Sequence, residues 1–240
     1  MLQRFTHVTS IVLFFLVSCN EKVKESAVPK QQEPIMSDTL ATAKEDKETA
    51  SEEEREKFVL TEENAIDFFF NYADTLSQNK VKLTTSMGSF TIQLFDDVPY
   101  HRANFIYLTR KGYFDNTQFH RVVKDFIIQG GNSDDRKTAN KRREIGRYLL
   151  PPDAKKGYKH HRGVISMPSS ERDNPHKLAS PYEFFIVVTK PGSYHLDGSY
   201  TPFGRVIEGM DVVDAINNVP VGDGDWPLQN VYIEKAEVLD

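Results

Sequence analysis

The chain has one cysteine, Cys19, in 240 residues. A lone thiol excludes an intrachain disulfide and any cysteine-based metal cluster, so the fold has to rest on an apolar core. Positive charge is not in excess: a formal net charge of −5 and a pI near 5.8 carry no overall basic signature for nucleic acid. The apolar run Ile11–Val17 falls well short of the roughly 20 residues that a spanning helix needs. No G-x-S-x-G elbow frames a serine nucleophile. His160 and His161 are adjacent, so on extended backbone they point apart and do not chelate. Gly222-Asp223-Gly224-Asp225 lacks the later acidic ligands of a calcium loop. The sequence therefore offers no metal site, and none of its motifs calls for a cofactor.

What is present begins with a leader. Residues 1–18 carry Arg4 and then Ile11–Val17, which fits the apolar region of a signal peptide. Leu16-Val17-Ser18-Cys19 resembles the bacterial lipobox, in which the leader is cleaved before a cysteine that is then acylated. The alternative is an ordinary cysteine within a cleaved leader. Residues 19–57 are poor in aromatic and branched aliphatic residues, and acidic side chains outnumber basic ones. Such a segment buries too little apolar area to offset its ordering entropy and reads as a flexible tether.

Residues 58–80 read as a helical extension. Thr61 is placed to cap, with Glu62 and Glu63 in the first turn, and Ala65, Ile66, Phe69, Phe70 and Ala73 form a stripe on which Phe58 would act as a staple. The stripe suits packing against the following domain; a groove helix for a partner is the alternative.

From Val81 the pattern shortens. Val81 to Leu94 alternates around Met87-Gly88-Ser89, a hairpin. Pro99 opens a helix that reaches about Arg110. Ser133 to about Lys159 is polar and basic with few aromatics, and reads as a solvated loop. Val164–Met167, Phe184–Val188, Phe203–Val206 and Val231–Val238 read as strands, and Met210–Asn217 as a second amphipathic helix. Many short strands with two helices are compatible with a closed antiparallel barrel.

The centre of the chain is Phe119-His120-Arg121-Val122-Val123-Lys124-Asp125-Phe126-Ile127-Ile128-Gln129-Gly130-Gly131. It predicts two strands hinged near Lys124-Asp125, with Ile127 and Gln129 on one face and Arg121 brought to that face by the hinge. A guanidinium and an amide beside an apolar patch suit gripping a backbone carbonyl.

The run from Gly112 to Asn132, with Gly163–Met167, Glu183–Ile186, Leu196-Asp197-Gly198 and Phe203–Val206, resembles the cyclophilin family of peptidyl-prolyl cis/trans isomerases over roughly residues 81–240. The resemblance implies a mainly β fold, an eight-stranded closed barrel with two helices, to which residues 58–80 add the helical extension. It implies Arg121 as the catalytic residue, with Phe126, Ile127, Phe185, Leu196 and Phe203 lining a proline pocket and Gln129 contacting substrate backbone. Four positions depart from the family. Pro168-Ser169 follow Ser166-Met167 where alanine and asparagine are usual, which removes an N–H from an edge. Glu183 replaces a glutamine, His195 a tryptophan that also helps bind cyclosporin, and Tyr200 a histidine. The segment Glu171–Ser180 is longer. The expected partners are unfolded or flexible proline-containing chains and, through Cys19, a bacterial membrane, with a monomeric domain outside the cytoplasm. The competing reading is a proline-segment binding module with weak or no turnover.

Overall fold

The structure is a computed structural model that describes residues 58–169 and 173–240. The leader, Cys19 and the tether lie outside the described residues.

Eight strands close into one antiparallel barrel in the order β1-β2-β7-β5-β6-β4-β3-β8. They are β1 (Lys80–Thr85), β2 (Gly88–Leu94), β3 (Thr117–Val123), β4 (Ile127–Asn132), β5 (Val164–Ser166), β6 (Phe184–Val187), β7 (Pro202–Glu208) and β8 (Tyr232–Leu239). Closure leaves no free edge to template aggregation. The hairpin β1–β2 turns at Ser86-Met87, and Gly88 follows at φ +125, a value that strongly favours glycine.

Four α-helices are present among the described residues, not two plus an extension: α1 (Ala65–Asp74), α2 (Pro99–Arg110), α3 (Arg136–Ile145) and α4 (Met210–Asn217). Helices α2 and α4 fall where the sequence puts them. Helix α3 occupies part of the stretch read as a loop. It buries only Thr138 and Ile145, so it has almost no apolar stripe to announce it, and its start is fixed by the Asp135 side chain accepting from the Lys137 N–H at 3.0 Å.

Inside the barrel, Phe90, Phe105, Phe114, Phe119, Phe184 and Phe203 are fully buried. The Phe105 ring on α2 lies edge-on to Phe184 and tilted against Phe114 and Phe203, an arrangement that aromatic quadrupoles favour. Helix α4 adds Val213 and Ile216 to the same core.

Helix α1 starts later than the sequence suggests. Residues Thr61–Asn64 form a turn in which the Thr61 N–H donates to Asn64 Oδ1 at 2.8 Å, while Thr61 Oγ1 accepts from the Glu63 N–H at 3.3 Å. The buried face is Ala65, Phe69 and Ala73, one residue per turn, packed on α2. Ile66 and Phe70, expected in the stripe, are 42% and 54% exposed. Phe58 meets Phe68, with ring centroids 5.4 Å apart, rather than the buried face. The Arg102 guanidinium ties the junction by donating to the Leu76 and Gln78 carbonyls at 2.9 and 3.2 Å.

Candidate active site

Strands β3 and β4 pair with Arg121 opposite Gln129 and Val123 opposite Ile127. Strict alternation would put Arg121 on the same face as Phe119, which points into the barrel. A bulge intervenes between Phe119 and Arg121, leaving His120 as the extra residue. An inserted residue reverses the face of everything after it, and this turns Arg121 outward beside Gln129. The expected co-facial placement of Arg121, Ile127 and Gln129 is therefore present, but a bulge contributes to it as well as the hinge.

The outward row continues across the barrel: Gln129 pairs with Phe185 on β6, and Phe185 with Ser166 on β5. Arg121, Gln129, Phe185 and Ser166 thus stand abreast on four adjacent strands. One step along, Val123, Ile127 and Val187 form a second row. Ile127, Phe185 and Val187, with Val123, Phe126, Leu196 and Tyr200 against them, make an apolar cluster separate from the barrel core. Its far side is the turn Tyr194–Leu196. The Tyr200 ring is perpendicular to Phe185 at 5.6 Å. The His195 ring stacks on Phe126 at 5.4 Å, so it borders the cluster while remaining exposed. Phe203 does not line this face: it is fully buried in the interior against Phe105 and His101.

The hinge residues are held by α4. Asn217 accepts from the Asp125 N–H at 2.8 Å and donates to the Val123 and Ile127 carbonyls at 2.9 and 3.2 Å. Asp125 takes φ +57, which aspartate tolerates better than most residues. Nothing in the sequence pattern pairs Asn217 with a turn some ninety residues earlier.

On the polar side, Glu183 gathers donors. Gln129 Nε2 donates to its Oε2 and Asn132 Nδ2 to its Oε1, both at 3.0 Å. His120 Nε2 stands 3.5 Å and Arg142 Nη2 3.6 Å from the carboxylate. Burial alone would raise the Glu183 pKa; donation from His120 and Gln129 and the His120 and Arg142 charges outweigh it and leave the group below its ordinary value. Arg121 is half-exposed, and its Nη2 lies 3.3 Å from Asp225 Oδ2. Neither Asp225 nor Arg142 carries a sequence signal that marks it as a site residue; both lie in charged runs.

Under the pocket sits a serine–histidine–aspartate array. His160 Nε2 is 3.0 Å from Ser166 Oγ, and its Nδ1 is 2.8 Å from Asp197 Oδ1. The ring lies nearly parallel to Phe185. Ser166 and His160 are wholly buried, so no acyl group can reach the hydroxyl. The array ties the Leu196-Asp197 turn to β5 and β6 and so shapes the pocket wall. Burial pushes the His160 pKa down, against the opposing pull of Asp197. His161 turns away to Tyr194, as adjacency requires.

A closed barrel with an outward apolar pocket and an arginine abreast of a glutamine is the framework of a peptide-binding isomerase. A family model described as cyclophilin type peptidyl-prolyl cis-trans isomerase/CLD matches residues 80–238. The chain is 37% identical over 166 residues to a peptidyl-prolyl cis-trans isomerase of Arabidopsis thaliana, covering 68% of this chain and 96% of that protein. It is 35% identical over 171 residues to a second, from Streptomyces antibioticus, covering 66% and 98%. The crystal structure of a Cryptosporidium parvum cyclophilin type peptidyl-prolyl cis-trans isomerase superposes with a TM-score of 0.57 at 27% identity, covering 68% of this chain and 98% of that one. Another crystal structure of that enzyme, in the presence of the dipeptide Ala-Pro, gives 0.56. The chain belongs to the cyclophilin family and is a peptidyl-prolyl cis-trans isomerase.

Proposed function

We propose that Arg121 drives isomerisation of proline-containing chains seated on the outer face of β3, β4 and β6. Rotation about a peptide bond meets a barrier of about 18–20 kcal/mol, because the nitrogen lone pair is conjugated with the carbonyl. Before proline the two planar forms are close in energy, so a catalyst needs only to bind the twisted amide more tightly than either. Twisting frees the lone pair, and a guanidinium N–H can donate to it. The pocket of Phe126, Ile127, Phe185, Leu196 and Tyr200 holds the proline ring, and Gln129 offers its amide carbonyl to the flanking backbone. No cofactor is required. The observation that supports this reading best is the cross-strand row of Arg121, Gln129 and Phe185 beside that pocket. The solved relative crystallised in the presence of Ala-Pro supports proline peptides as the substrate class.

A proline-peptide isomerisation assay on the full chain tests it. Arg121→Ala should lose at least about tenfold in kcat/KM, and Arg121→Lys should not fully recover it, because the planar fork is lost. Wild-type turnover by Arg121→Ala would sink the mechanism.

We further propose that the clients are cell-envelope proteins and that the domain is held to a bacterial membrane through acylated Cys19. The lipobox-like Leu16–Cys19 and the tether composition support this. Incorporation of labelled fatty acid by the wild type and its loss in Cys19→Ser is the expected result; no incorporation by the wild type would refute it. A second reading, a binding module of weak turnover, draws on Pro168, which brings no N–H to the chain beside β5. The same assay separates the two.

A further inference from the structure

We propose that Asp225 is a positioning residue for Arg121, fixing the guanidinium in the orientation that meets the proline amide; the proposal rests on the catalytic reading of Arg121 given above. Asp225 sits on a loop that closes on itself. The Gly222 N–H donates to the Trp226 carbonyl at 2.8 Å and the Leu228 N–H to the Pro220 carbonyl at 2.9 Å, while Val221 and Pro227 form an isolated bridge. At its tip Gly224 and Asp225 both take left-handed conformations, φ 72 and φ 62. Aspartate tolerates this conformation as it does at Asp125, and the loop's own hydrogen bonds hold it there.

The loop is seated on β3 at two successive residues. Trp226 lies with its ring centroid 6.1 Å from that of His120, and Asp225 Oδ2 is 3.3 Å from Arg121 Nη2. The bulge in β3 is what turns both of those residues toward the loop. The ion pair is half-exposed on both sides, at 42% and 41%, and a pair so open contributes little to folding stability. Its effect falls on the arginine itself. A long flexible side chain facing solvent samples many rotamers, and a carboxylate that engages one nitrogen of a five-donor fork narrows them without occupying the fork. A guanidinium already aimed loses less freedom on meeting the twisted amide, and that gain shows in turnover rather than in substrate affinity.

The full chain tests this with four variants: Asp225→Asn, Asp225→Glu, Arg121→Ala and the double variant Arg121→Ala with Asp225→Asn. Turnover is read as kcat/KM on a proline peptide, and peptide affinity from the fluorescence of Trp226, the one tryptophan in the chain. Asp225→Asn should lose about three- to tenfold in kcat/KM with affinity within about twofold, Asp225→Glu should recover part, and Asp225→Asn should cost nothing further on the Arg121→Ala background. Unchanged turnover in Asp225→Asn overturns the proposal. So does raised turnover, which would show the carboxylate competing with substrate, and so does a further loss, as large as in the wild-type background, when Asp225→Asn is added to Arg121→Ala. If Arg121→Ala is impaired while Asp225→Asn is not, only the positioning role falls. Wild-type turnover by Arg121→Ala removes the catalytic assignment beneath it as well.

Discussion

The side-chain amide of Gln129 donates to Glu183 Oε2 at 3.0 Å, which leaves the Gln129 carbonyl oxygen as its free acceptor. The cyclophilin resemblance implies a glutamine at position 183, with which either end of the Gln129 amide would find a partner. A carboxylate only accepts, so Glu183 admits one orientation. Glu183→Gln should therefore keep the fold and cost no more than about threefold in kcat/KM. Glu183→Leu strands Gln129 and Asn132 and should cost about tenfold. Equal kinetics in the two variants would show that the amide needs no such anchor.

A second prediction concerns the hinge. Asn217 is buried and makes three hydrogen bonds to the β3–β4 turn. Asn217→Ala removes the partner of the part-buried Asp125 N–H and of the buried Ile127 carbonyl, while the Val123 carbonyl keeps the Phe126 N–H at 3.0 Å; the loss should be about 1 kcal/mol or somewhat more. Denaturant unfolding should show that loss, together with reduced turnover, because the turn carries Phe126. An unchanged unfolding midpoint would mean that the turn holds itself.

Much of the barrel was legible because its determinants are local. β1, β2 and α2 follow from alternation, a turn glycine and Pro99 at a helix start. Other features depend on partners far away in sequence. Alternation gives no warning of the bulge at His120, since an inserted residue carries no residue-type signature. Phe203 and Phe185 sit in equally apolar short runs, and only the register, with β7 turning Phe203 inward, tells core from pocket. α3 escaped because its charged surface buries two side chains. Gly222–Asp225 has the composition of a truncated calcium loop, and its contact with Arg121 depends on where the loop folds back.

Acid should destabilise the fold before the carboxylates titrate. His101 is fully buried, its ring nitrogens have no hydrogen-bond partner among the described residues, and burial pushes its pKa down to about 3. The unfolded chain takes up that proton near the ordinary value of 6.5. The neutral ring's contribution is therefore complete above pH 6.5 and is lost as pH falls from there towards about 3. His160 is shifted in the same direction by burial. Glu183 and Asp197, both lowered from the ordinary values of 4.5 and 3.8, begin to lose their contributions only as pH falls through those values and finish losing them below. Between pH 7.5 and 5, His101 alone should cost about 2 kcal/mol. His101→Leu should flatten that part of the stability profile, and a profile as steep as wild type would show that His101 is not its source.

The last prediction tests the pocket rim. His195 stacks on Phe126 at 5.4 Å but stays exposed, so position 195 borders the pocket and covers it only in part. The cyclophilin resemblance places a tryptophan here that helps bind cyclosporin. A histidine offers less apolar area; losing some tens of Å2 of contact at about 25 cal/mol per Å2 costs roughly 1–2 kcal/mol, about five- to thirtyfold in affinity. Cyclosporin should therefore bind this chain weakly, and His195→Trp should recover part of the difference by extending an indole over Phe126. Short proline peptides, which the proposed binding mode seats on Ile127 and Phe185, should be turned over at similar rates by both proteins. Titrating cyclosporin against each decides the matter, because equal and tight binding would show that the rim at 195 plays no part.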